Sequence, residues 1–104
     1  MKSPGSSNAV PLVLAELRRG EAGVVDGLAP IGLGTTTEER DSMLARLRDL
    51  GFIPGARCEV IARMWFGGDP IAVRVGGSTF ALRRVEAAAV HITRALPLAA
   101  GATA

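Results

Sequence analysis

The chain after residue 57 alternates between apolar and polar positions, which is the pattern of strands with one buried face. From Cys58 to Phe66 every second residue is apolar. This alternation predicts an inward face made of Cys58, Val60, Ala62, Met64 and Phe66. The intervening positions, Arg63 and Trp65 among them, are then predicted to face outward.

Two further alternating runs, Ile71–Val75 and Ser78–Leu82, flank Gly76-Gly77, a typical two-residue hairpin turn. The turn sets the residues on either side of it directly opposite each other. In that register the apolar positions share one face: Ile71, Val73, Phe80 and Leu82. Arg74 falls on the other face, and a slip of one residue would bury it. The sequence therefore predicts both the hairpin and its pairing.

A helical period of apolar residues runs from about Glu38 to Leu50. Its stripe, predicted to cover the core, consists of Met43, Leu44, Leu47 and Leu50. Thr36 stands before this run and Glu39 three residues later, which is the spacing of a capping box. These signals predict one α-helix with a defined start.

The same helix has a strong stop signal. Gly51 stands where a helix end needs a positive φ, and Phe52 is placed to pack back onto Leu47. Pro54 and Gly55 then form a turn pair, because proline presets one corner and glycine accepts the other. The chain is expected to leave the helix and enter a strand within a few residues.

The remaining elements are short. Ala22–Leu28 is predicted to be a strand bent at Gly23 and Gly27, and Val90–Thr93 to be the last strand. Val85–Ala89 is expected to be a helical connector. About one helical turn is expected at Leu14 and Leu17, ending at Gly20.

Together these elements predict a mainly β protein, a small five-stranded SH3-like barrel with one inserted α-helix. The helix lies between the first and second strands. The predicted domain covers residues 12–94, with flexible tails at 1–11 and 95–104. Closure of the barrel would remove strand edges that are otherwise exposed.

The composition of the chain argues against some classes of function. The chain has 104 residues, a net charge of +2 and 48% hydrophobic residues, as expected for one folded domain. No dense basic stripe supports nucleic-acid binding. A single cysteine suits a reducing compartment, and no apolar run approaches the roughly 18 residues of a membrane span. We therefore expect a cytoplasmic protein that does not insert into membranes.

Three spaced motifs carry a resemblance: Leu-Gly-Phe-Ile-Pro-Gly at 50–55, Gly-Asp-Pro at 68–70 and Ala-Leu-Arg-Arg-Val-Glu-Ala at 81–87. In this order they resemble the FeoA family, small cytosolic SH3-like proteins of bacterial ferrous iron uptake. Trp65 departs from the family pattern, which often has proline there. With the hairpin glycines, the predicted structural motif residues are Leu50, Gly51, Phe52, Pro54, Gly55, Asp69, Pro70, Gly76, Gly77, Leu82 and Glu86.

The resemblance implies an accessory role in iron transport. Such a protein would dock to the cytosolic GTPase-bearing region of a FeoB-like membrane transporter. One alternative is a stand-alone sensory module like the C-terminal domain of iron-dependent repressors. Another is a small nucleic-acid-binding barrel. Self-association is also open.

Candidate chemistry is sparse. No Gly-x-x-x-x-Gly-Lys-Ser/Thr phosphate loop and no nucleophile–base pair occurs, so the chain is predicted not to be an enzyme and to need no cofactor. Cys58 is expected in the core and His91 on the outside of the last strand. Neither has a partner at ligand spacing, so no intrachain metal site is predicted, although His91 could share a metal with a neighbouring molecule.

The candidate partner-binding residues are Arg63, Trp65, Arg74 and Arg83, all outward by strand parity. An exposed tryptophan among arginines has the composition of a protein-interface hot spot. The competing interpretation is an ordinary solvated strand face with Trp65 covered by a tail or loop.

Overall fold

The computed structural model describes residues 12–30, 36–63 and 70–95. In chain order its elements are β1 (Leu12–Val13), a 3₁₀ helix (Leu14–Glu16), β2 (Ala22–Leu28), α1 (Thr37–Leu50), β3 (Arg57–Arg63), β4 (Ile71–Val75), β5 (Ser78–Leu82), α2 (Arg84–Ala87) and β6 (Val90–Ala95). The predictions for residues 1–11, Met64–Phe66, Asp69 and residues 96–104 concern positions outside these ranges, whereas Ala95, predicted to belong to the C-terminal tail, lies in β6.

The strands form one antiparallel sheet with the order β1-β6-β2-β3-β4-β5. The mainly β, SH3-like class is confirmed, but the described residues contain six strands where five were predicted. The additional strand, β1, pairs Leu12 with Ile92 and Val13 with His91. Two residues are too short to show an alternating pattern, which is why the sequence did not reveal this strand.

The β4–β5 hairpin has the predicted register. Val75 pairs with Ser78, and the ladder continues to Ile71 opposite Leu82. Gly76 and Gly77 have φ values of 60° and 86°, as a type I′ turn requires at both central positions.

Helix α1 begins and ends as predicted. Thr36 Oγ1 accepts from the Glu39 N–H at 3.0 Å, while Glu39 Oε1 accepts from the Thr36 N–H at 3.0 Å. Gly51 has φ 114°, and the Phe52 N–H donates to the Leu47 carbonyl at 3.0 Å. Because Phe52 and Leu47 are both fully buried, the helix end is also anchored to the core.

The core lies on the inner face of the sheet and includes residues of the 3₁₀ helix and its following loop, while α1 contributes one fully buried residue, Leu47. Its largest fully buried side chains are Phe52, Leu14, Leu17, Leu47, Ile71, Leu82, Ile92, Val25, Val60, Val73, Val75 and Val90. Met43 and Leu50 from the helix stripe pack against this cluster and are half-buried. None of the helices in the described ranges is long and apolar enough to span a membrane.

Strand β3 departs from the predicted alternation. Val60 pairs with Val73, but the next pair is Ala62 with Ala72, so the register shifts by one residue. The shift places one extra residue, Ile61, in β3 and reverses the facing of those that follow. Ala62 is exposed, so its predicted inward position is wrong.

Two further boundaries differ slightly from the prediction. The connector helix is α2 at Arg84–Ala87 instead of Val85–Ala89, because Arg83 stands at its N-cap position. Strand β6 continues to Ala95, where Ala95 pairs with Ala22 of β2.

Candidate interaction surface

Arg63 does not lie on the outward face where strand parity placed it. It stands opposite Ile71, which is buried, so the β3 bulge turns Arg63 toward the core side at the strand end. Its Nη1 donates to the Leu17 carbonyl oxygen at 2.6 Å. The half-buried guanidinium is thereby fixed against the segment that joins the 3₁₀ helix to β2.

That segment carries further arginines. Arg18 and Arg19 are exposed, and the Gly20 N–H donates to the Val60 carbonyl at 2.7 Å, which holds the segment beside β3. Arg94 of β6 reaches the same place, where its Nη1 lies 2.6 Å from Glu21 Oε2. We call these four residues the basic loop surface: Arg18, Arg19, Arg63 and Arg94.

Glu21 organises this surface. Its Oε1 accepts from the Arg18 N–H at 2.7 Å, and its Oε2 accepts from Arg94. The Arg18 backbone hydrogen bond and the Arg94 guanidinium lower the pKa of Glu21, so the carboxylate remains charged. Glu21 thus offsets part of the positive charge of the four arginines.

Sequence reasoning missed three of these four residues. The doublet Arg18-Arg19 was available as a signal, but nothing in the sequence places it beside β3. Arg94 lies one residue beyond the expected last strand, Val90–Thr93, and its neighbours could be known only from the pairing of β6 with β2.

Arg74 and Arg83 lie elsewhere. Arg74 is exposed on the outer face of β4, between Glu59 of β3 and Thr79 of β5. It lines a shallow pocket of about 280 Å³ at the hairpin end of the sheet. Arg83 is exposed at the opposite end of β5, where its N–H donates to Glu86 Oε1 at 2.8 Å. The structure therefore divides the predicted cluster, and Trp65 lies outside the described residues.

Glu86 has a structural role that extends the predicted one. Besides capping α2 through Arg83, it forms an ion pair with Arg46 of α1. This pair joins the inserted helix to the short helix that precedes β6. Gly55 has φ 91° in the turn before β3, and the Ala56 N–H closes that turn onto the Ile53 carbonyl.

Cys58 is in the core, as predicted. The residue is 1% exposed, and its Sγ lies 3.6 Å from the Gly23 carbonyl oxygen. Burial raises the pKa of Cys58 to about 11, which disfavours the thiolate that would bind a metal.

His91 is half-buried, and its Nε2 donates to the Ala29 carbonyl at 3.0 Å. Metal ligation through Nε2 would require that bond to break. Across 12–30, 36–63 and 70–95, no three His, Cys, Asp or Glu side chains come together in a way that could hold a metal ion.

The family model for the FeoA domain matches residues 12–94. The chain belongs to the FeoA family. The match spans the sheet from β1 to β6, together with α1. A search of curated protein sequences returned no significant match.

Solved structures agree with this assignment. Stenotrophomonas maltophilia FeoA is 33% identical, with 78% of this chain and 88% of that chain covered and a TM-score of 0.64. It is described as a prokaryotic SH3-domain protein complexed with zinc and as a candidate activating factor of ferrous iron transport. Chlorobium tepidum FeoA is 30% identical, covers 82% and 71% of the two chains, and has a TM-score of 0.62.

The FeoA fold also occurs within larger proteins. A manganese-dependent transcriptional repressor shares the fold at a TM-score of 0.66 and 22% identity, with 84% of this chain but 43% of the repressor covered. At that identity the likeness concerns architecture alone.

Proposed function

We propose that this FeoA-family protein is a non-enzymatic cytosolic accessory factor of ferrous iron uptake. It would dock to the cytosolic GTPase-bearing region of a FeoB-like membrane transporter. The observation that carries the proposal is the family match over residues 12–94. The description of the Stenotrophomonas maltophilia relative as a candidate activating factor of ferrous iron transport supports the same role.

The basic loop surface is the docking site that we propose. Arg18 and Arg19 are exposed, while Arg63 and Arg94 are held by a carbonyl and a carboxylate, so part of the surface is preorganised. A partner with an acidic surface would be attracted to it, and opposite charges raise the association rate in particular. Trp65 follows Arg63 by two residues, and it remains the predicted aromatic anchor.

The test is titration of the purified cytosolic region of the cognate transporter into the protein at two ionic strengths. The double substitution Arg18→Glu with Arg19→Glu should weaken binding at least about tenfold at low salt and less at high salt. Trp65→Ala should weaken binding by roughly 2 kcal/mol, about thirtyfold, if the indole is an anchor.

Arg74→Glu is the matched control, because it reverses one exposed arginine on a separate part of the sheet. Binding within about twofold of wild type is expected for it. If Arg74→Glu weakens binding as much as the loop substitutions, docking depends on total charge instead of the basic loop surface. No detectable binding by wild type would contradict the proposed partner.

The same preparation distinguishes the alternatives. A nucleic-acid-binding barrel should bind random oligonucleotides with strong salt dependence, and this binding should persist without the transporter domain. A sensory module should instead bind a DNA-binding partner protein. We expect neither, and we expect no GTP hydrolysis by the protein alone.

A further inference from the structure

Strand β5 is the last strand of the sheet that the described residues form, and one of its edges has no partner strand there. The strand order places β4 on one side of β5 and, among the described residues, no strand on the other. Ser78, Thr79 and Ala81 are exposed, and no other strand within residues 12–30, 36–63 and 70–95 pairs with this edge. An exposed edge strand carries backbone groups that can pair with another strand.

The hairpin register identifies those groups. In a two-residue hairpin the pair beside the turn is hydrogen-bonded, and such pairs then alternate with non-hydrogen-bonded ones. Val75–Ser78 and Val73–Phe80 are therefore hydrogen-bonded pairs, whereas the backbone groups of Thr79 and Ala81 point away from β4. Neither Thr79 nor Ala81 has another backbone hydrogen-bond partner within the described ranges.

The edge lacks the usual protection against pairing. The sequence of β5 is Ser-Thr-Phe-Ala-Leu, without a charged residue or a proline. Its ladder with β4 runs through five consecutive pairs with no bulge. Natural edge strands are commonly protected by lysine, proline or a bulge, so β5 is a competent template for strand addition.

We propose that β5 pairs with β5 of a second copy of this chain, antiparallel and about a two-fold axis at Phe80. In this arrangement Thr79 stands opposite the Ala81 position of the other copy, and the outward groups of both residues form four backbone hydrogen bonds. The register is self-complementary, as a two-fold interface requires.

The side chains of β5 and its neighbour Arg83 are compatible with a second copy of the chain as the pairing partner. Phe80 is half-buried, and on the axis it would meet its own copy in a non-hydrogen-bonded pair, where side chains approach most closely. The exposed Arg83 lies three residues from the axis, so the two copies of Arg83 stand roughly 20 Å apart along the strands. That separation exceeds the Debye length of about 8 Å at physiological salt, so repulsion between them is largely screened.

The dimer should be weak. A pair of five-residue strands buries less than the roughly 1,200 Å² of a standard interface, which suggests a dissociation constant on the order of 100 µM. Sedimentation of the full chain from about 10 µM to about 1 mM spans that range. The weight-average mass should rise toward that of a dimer with concentration.

Ala81→Lys tests the edge. It places a charge on the pairing strand without removing a described contact, and should weaken self-association at least about tenfold. Ala62→Lys is the matched control, because Ala62 is exposed on an interior strand, and it should sediment as wild type does.

Amide hydrogen exchange on the wild type provides a readout that needs no variant. At high concentration the Thr79 and Ala81 amides should gain protection, while the exchange of amides in the basic loop surface stays unchanged. A monomer at all concentrations overturns the proposal. So does a dimer in which Ala81→Lys has no effect and these two amides remain unprotected. This inference does not depend on the proposed transporter partner.

Discussion

The β4–β5 hairpin and the β2–β3–β6 part of the sheet obtain their registers in different ways. In the hairpin, two glycines with positive φ join strands that pair without interruption over five positions. The β2–β6 ladder has a register shift between Val25 and Gly27, and the β3–β4 ladder has another between Val60 and Ala62. Adjacent regions of one sheet therefore differ in how regular their ladders are.

For the hairpin and the β2–β6 ladder, we attribute the difference to the distance along the chain. The hairpin partners are separated by two turn residues, so local backbone preference alone aligns them. Strands β2 and β6 are more than sixty residues apart, since Gly23 pairs with Arg94. Their alignment depends on packing between distant side chains, and bulges adjust it where the core requires. The first region should tolerate core changes, and the second should be sensitive to them.

The largest effect that we predict falls on the β2–β6 contact. A Cβ at Gly23 would lie 2.7 Å from Ile92 Cδ1 and 3.1 Å from the Thr93 carbonyl oxygen, so Gly23→Val should destabilise by about 3 kcal/mol in chemical unfolding. Gly27→Ala is the control, because nothing lies within 4 Å of its Cβ position. Equal stability of the two variants would show that β2 and β6 do not pack as closely as described.

A second effect concerns the thiol of β3 and appears only at high pH. Folding raises the pKa of Cys58 from 9.0 to about 11, so the folded state holds its proton where the unfolded chain releases it. Stability is therefore complete below about pH 9 and should fall by about 2–3 kcal/mol as the pH rises to about 11.

Cys58→Ala should remove this pH dependence. The quantity to compare between wild type and variant is the slope of the unfolding free energy against pH, because the substitution also changes the absolute stability. The chain has no tyrosine and only one lysine, Lys2, so few other groups titrate in this range. A wild-type slope that persists in Cys58→Ala would mean that the thiol is not the responsible group.

Gly51→Val measures the cost of a purely local feature. Gly51 has φ 114°, while the nearest atom to a Cβ there is Val75 Cγ2 at 3.8 Å, so space is available and only the backbone is strained. We expect a loss of about 2 kcal/mol in urea unfolding. Gly51→Asn should lose less, since asparagine tolerates the left-handed region. Similar losses for both would instead indicate a steric cause.

Most of the fold was predictable, because its signals are local. The capping box at Thr36, the Gly51 stop and the Gly76-Gly77 turn each need only a few neighbouring residues, and all three are confirmed. Strand β1 was missed because two residues show no period. The sequence predicted glycines at 23 and 27 to bend the strand. The structure adds a second reason for glycine at position 23, because β2 packs too closely against Ile92 for a side chain there.

The candidate site was less predictable for one physical reason. Parity arguments assume an uninterrupted strand, and a single bulge reverses every position beyond it. The bulge in β3 arises from the pairing of that strand with β4, and the residues of Arg57–Arg63 contain no pattern that predicts it. Thus Arg74, in the regular strand, was placed correctly, whereas Arg63 was not.

The smallest predicted effect tests this reversal directly. Arg63→Gln removes the guanidinium bond to the Leu17 carbonyl, and a charged donor lost from a half-buried position should cost about 1.5 kcal/mol. Arg74→Gln changes an exposed arginine on the outer face of β4 and should stay within about 0.5 kcal/mol of wild type. An outward Arg63, as simple alternation predicts, would make both substitutions equally silent. Parallel urea titrations therefore decide whether β3 is bulged in solution, and with it whether Arg63 belongs to the basic loop surface.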